Sequence, residues 1–73
     1  SEEAVSLIRQ AIAIDPRNPD YHYNLGFTLN ASGRMAEAIE PLSKAIALKP
    51  QYAEAHFELG NAHARAGQFD AAE

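Results

Sequence analysis

Seventy-three residues with ten acids, six bases and no cysteine carry a formal charge of −4. That balance disfavours nucleic acid and anionic membrane surfaces, which require clustered Lys and Arg, and it leaves no thiol for a disulfide, a metal or a nucleophile. No run of about 18 apolar residues exists to form a transmembrane helix, and the acidic start Ser1-Glu2-Glu3 is not a signal peptide. The compartment stays open, with the cytoplasm as the working expectation.

The first element is a helix over residues 1–14. Val5, Ile8 and Ile12, with Ala4 and Ala11, recur at three- and four-residue steps, the period of an amphipathic helix. Asp15-Pro16 ends it. Asn18-Pro19-Asp20 then reads as a helix start, with Asn as N-cap, Pro at the first helical position and an acid in the first turn. This second helix is expected to reach about Ser32, where Gly33 breaks it. The third covers 35–48 with Ile39, Leu42, Ala45 and Ile46 on its apolar stripe, and Lys44 and Lys49 in the half where cations suit the helix dipole. Pro41 lies inside it, so a kink near 37–41 or the loss of one hydrogen bond is expected. The fourth spans 53–66. Gly67 is expected to break it and Phe69 to begin a fifth. Short connections make consecutive helices antiparallel.

The elements repeat. Offsetting the chain by 34 aligns Pro16 with Pro50, His22 with His56, Leu25-Gly26 with Leu59-Gly60, Gly33 with Gly67, and Ala4 with Ala38 and Ala72. The identities fall where geometry and packing decide. A period of this length marks helical arrays in which each unit buries its apolar face against its neighbours.

In register, the chain resembles the tetratricopeptide (TPR) repeat family. The unit over 19–52 has His22 at the position that opens the family's pattern with an aromatic, then Leu25-Gly26, Leu29, Gly33, Met35, Ala38, Leu42, Ala45 and Pro50; the unit begun at Ala53 shows His56, Leu59-Gly60, His63, Gly67, Phe69 and Ala72. Residues 1–18 match the second helix of a preceding unit. The resemblance implies an all-α fold, antiparallel hairpins stacked as a right-handed superhelix, and a protein-binding scaffold. His at both aromatic positions and Pro41 depart from the pattern. Gly26 and Gly60 are read as sites of close helix approach, with Ala38 and Ala72 as their small partners, and Gly33 and Gly67 as turn residues.

Catalysis finds no support. Ser1, Ser6, Ser32 and Ser43 have no organised His and acid beside them, and the glycines form no phosphate loop. His56 and His63 would stand about 10 Å apart along one helix, too far to share a metal, and Glu54 and Glu58 read as ordinary surface acids. No catalytic residue, cofactor or metal site is expected.

In this family the first helix of each pair lines the concave face, where peptides lie. The matching positions are Asp20, Tyr23, Phe27, Asn30 and Ala31, then Glu54, Phe57, Asn61, Ala64 and Arg65. Helical spacing agrees, setting Tyr23, Phe27 and Asn30 on a face away from Leu25 and Leu29. The expected ligand groove is Tyr23, Phe27, Asn30, Phe57, Asn61 and Arg65: aromatics for contact area and amides for peptide backbone. Packing of Phe27 and Phe57 against a neighbouring repeat is the plainer account of those rings. A clamp for a peptide's terminal carboxylates is disfavoured, because Tyr23 and Phe57 stand where it needs Lys and Phe27 where it needs Asn. The Leu59-Gly60-Asn61 run also resembles the TPR arrays of bacterial proteins and of O-GlcNAc-transferase-like enzymes. A substrate-recognition arm of a larger enzyme is therefore the alternative to a free-standing scaffold. Val5, Ile8 and Ile12 are expected to lack cover on one side, which would permit a homo-oligomer through the terminal helices.

Overall fold

The computed structural model describes residues 2–72, with side chains through 67. It contains four helices, α1 (Glu2–Ile14), α2 (Pro19–Ala31), α3 (Met35–Leu48) and α4 (Ala53–Ala72). The Cα envelope measures 38 × 29 × 13 Å. That is a slab rather than a ball, as expected where each hairpin packs only on its sequence neighbours.

Local chemistry sets the helix ends. Asn18 holds extended backbone and its side chain accepts from the Asp20 N–H at 3.0 Å, with Pro19 at the first helical position. Gly33 has φ +82°, a left-handed conformation that costs an L-residue about 1–2 kcal/mol, and here it turns α2 back into α3. Helix α3 runs unbroken across the buried Pro41. Proline's missing N–H still removes the bond to the Glu37 carbonyl.

The main core joins Val5 of α1, Leu25 and Leu29 of α2, Met35, Ala38 and Leu42 of α3, and Ala62 of α4. Ala45, Tyr52 and Ala55 form a second cluster, and Tyr23 touches both. Val5 is only 5% exposed, so the expectation that it lacks cover is wrong: the face of α1 that carries it docks on α2. Ile8 and Ile12 are half-buried against the same core. The exposed apolar groups of α1 are Leu7 and Ile14.

Three further expectations need correction. The close approach at Gly26 is to Leu42 rather than Ala38. A Cβ on Gly26 would lie 2.3 Å from Leu42 Cγ, while Ala38 sits fully buried in the core. Gly60 has nothing within 4 Å of its would-be Cβ, because no helix crosses it as α3 crosses α2. Finally, α4 does not break at Gly67 but continues to Ala72. Gly67 lacks the positive φ of Gly33. The side chains of Phe69 and Ala72 lie outside the described residues.

Candidate functional site

Two histidines fix the entry to each hairpin. His22 Nε2 bonds the Pro16 carbonyl at 2.7 Å, and His56 Nε2 bonds the Pro50 carbonyl at 2.8 Å. A carbonyl only accepts, so Nε2 carries the proton in both. Each ring reaches back six residues to the loop before its helix. The histidines are therefore structural, and among the described residues no cluster of three or more His, Asp or Glu is placed to hold a metal.

Helices α2 and α4 run side by side in the same direction. Contacts ascend together: the Tyr52 hydroxyl donates to Asp20 Oδ1 at 2.7 Å, and farther along, Asn30 Nδ2 donates to the Glu58 carbonyl at 3.1 Å and to Glu58 Oε1 at 2.9 Å. At the second of these ties opens a concavity of about 180 Å³ lined by Phe27, Asn30, Ala31, Glu58, Asn61 and Arg65. Four of the six groove residues expected from sequence thus meet at one place.

The other two behave differently. Tyr23 is half-buried and packs inward, its ring 5.1 Å from Tyr52 and 6.0 Å from Phe27. It is a wall between core and groove rather than part of a free stripe. Phe57 is 66% exposed and does not line the concavity; Phe27, which does, is 48% exposed. Phe27 lies beside Tyr23 and faces α4 across the concavity. Asn30 is less available than its position suggests, since both amide hydrogens are engaged by Glu58. Its Oδ1 is buried without a partner. Flipping the amide would set Oδ1 against two acceptors, so the orientation follows from the network.

Glu58 escaped the sequence reading as a surface acid. The signal was there: 58, 61 and 65 recur at three- and four-residue steps and so share one helix face.

The phenols report the local field. Burial raises the Tyr23 hydroxyl above the ordinary tyrosine value, and the charges of Glu58 and Glu54 add to it. Tyr52 rises further, first through burial and then through its bond to Asp20. At the opposite side of the slab, Arg34 bonds both carboxylate oxygens of Glu37, at 2.7 and 2.9 Å, and also reaches Glu2 on α1. These bonds raise the guanidinium's pKa, and they hold the Glu37 carboxyl below its usual value.

Nothing in this arrangement pairs a nucleophile with a base. Stacked hairpins with a continuous shared core define an α-helical repeat scaffold. A family model for the TPR repeat matches residues 2–33 and again 28–67, and the chain belongs to that family. Its repeats are in general protein-interaction modules on a non-catalytic scaffold. No curated protein matches the chain significantly. Among the described residues, no helix is long and apolar enough to cross a membrane.

Proposed function

We propose that this chain binds an extended segment of a partner protein along the groove between α2 and α4, with 19–52 as its complete repeat between the partial units 1–18 and 53–73. The observation that carries the reading is the convergence of Phe27, Asn30, Asn61 and Arg65 on one concavity beside two exposed rings. Its volume falls below the roughly 300–1,000 Å³ of small-molecule sites. An open trough of this size suits single side chains of a long ligand. If the chain serves as the recognition arm of a larger enzyme, the same groove does the recognising and the chemistry lies outside these residues.

Pull-down with the full-length protein tests this, comparing the wild type with a Phe27→Ala/Phe57→Ala/Arg65→Ala variant. Tyr23 is left intact, because its core contacts would confound the result. Loss of partner recovery with unchanged helicity supports the groove. Undiminished recovery places the binding surface elsewhere.

A further inference from the structure

We propose that the occupant of this groove is a cationic extended segment, with a Lys or Arg seated among the aromatic rings and the acids at the N-terminal ends of α2 and α4. The inference rests on the groove reading above and adds the chemistry of the ligand.

Charge along the groove is uneven. Asp20 and Glu54 stand in the first turns of α2 and α4, and Glu58 follows one turn later. Arg65 is the one cation lining the concavity, at its far end. Burial first, and then the charges of Glu58 and Glu54, raise the Tyr23 phenol's pKa, so both acids act at this ring. Asn30 has spent both donors on Glu58, so its amide has no N–H left for an anionic ligand.

Tyr23 links rings and acids: it lies 6.0 Å from Phe27 and 5.1 Å from Tyr52, whose hydroxyl binds Asp20, while Phe57 follows Glu54 by three residues on one face of α4. A cation over an aromatic face gains from the ring quadrupole, and the apolar stem of Lys or Arg covers ring surface while its head stays with the carboxylates. The chain makes one such arrangement itself. The Lys49 ammonium lies 4.6 Å from the centre of the Tyr52 ring, whose hydroxyl binds Asp20. Phe27 and Glu58 line one concavity, and Glu54 and Phe57, three apart on α4, set an acid and a ring on one face.

The test uses three short labelled peptides with the pattern Ser-X-Leu-Ser-X-Leu-Ser, where X is Lys, Gln or Glu. Fluorescence anisotropy measures affinity for the chain at low and at physiological salt, and backbone amide NMR shifts locate each peptide. The Lys peptide should bind about tenfold or more tighter than the Gln peptide at low salt, and should lose that advantage as salt rises. The Glu54→Gln/Glu58→Gln variant should bring the two to parity. Glu58→Gln retains an acceptor for Asn30, so the wall stays in place. Equal binding of Lys and Gln peptides, with shifts at Phe27 and Asn61, overturns the charge inference and leaves the groove. Tightest binding by the Glu peptide overturns it in sign. If no peptide shifts Phe27 or Asn61, both the inference and the groove reading fall.

Discussion

Helices α2 and α4 share His, Leu and Gly at matched positions and live in different surroundings. His22 is buried and His56 exposed; Leu29 is fully buried, while His63 at the matched position is exposed; Gly26 receives Leu42, while Gly60 faces open space. The difference is α3, which lies across α2 and has no counterpart across α4 among the described residues. Burial in such an array belongs to the contact between neighbours rather than to the residue. A motif therefore specifies where a side chain can pack without fixing whether it does.

Matched substitutions can break this comparison or sharpen it. Leu29→Ala should cost about 2–5 kcal/mol, the range for emptying a packed site, whereas His63→Ala should stay within about 0.5 kcal/mol. Urea unfolding followed by circular dichroism reads both, and equal costs would mean that α4 is packed as α2 is. Gly26→Ala should lower stability by about 1–3 kcal/mol through overpacking on Leu42. Gly60→Ala should raise it by about 0.5–1 kcal/mol, since alanine is the better helix former and meets nothing. Opposite signs from one substitution at equivalent positions are the sharpest form of the contrast. His22→Ala should cost about 1 kcal/mol, the net worth of a hydrogen bond, and the exposed His56→Ala less.

The smallest effect concerns pH. The Tyr52 phenol has its pKa raised in the folded state, so its contribution is fully present below the unfolded value near 10 and is lost as pH rises above it. Alkaline titration followed by tyrosinate absorbance should show a late-ionising phenol that disappears in Tyr52→Phe. The same variant should unfold less steeply above pH 10. Persistence of the late-ionising phenol in Tyr52→Phe would mean that Tyr52 is not its source.

Much of this was legible because the signals are local. Asn18-Pro19 and Gly33 act through their own backbone and one or two neighbours, and the ends of α1, α2 and α3 fall where they direct. The face shared by Asn61 and Arg65 follows from helical spacing alone. What the sequence could not show were facts about a second helix. Leu42, not Ala38, fills the space over Gly26, because the crossing point of two helices depends on their relative rotation. Tyr23 turns inward because Tyr52, from a different loop, offers it a ring. Gly67 passes as an ordinary helical residue, without the positive φ that makes Gly33 a turn.

Arg34 gives α1 a distinctive kind of attachment. Between α1 and α3 lies a cavity of about 320 Å³ bordered by Ile12, Ala13 and Pro41, and the guanidinium ties its end by reaching Glu2 on one side and Glu37 on the other. Exposed ion pairs are weakened by mobile counter-ions, and the Debye length shrinks from about 10 Å at 0.1 M to about 3 Å at 1 M. Added salt therefore weakens the Arg34–Glu2 tie while the apolar docking of Val5, Ile8 and Ile12 remains, and amide exchange near the start of α1 should quicken first. One end of the α1 seam has a strength that the surrounding electrolyte sets.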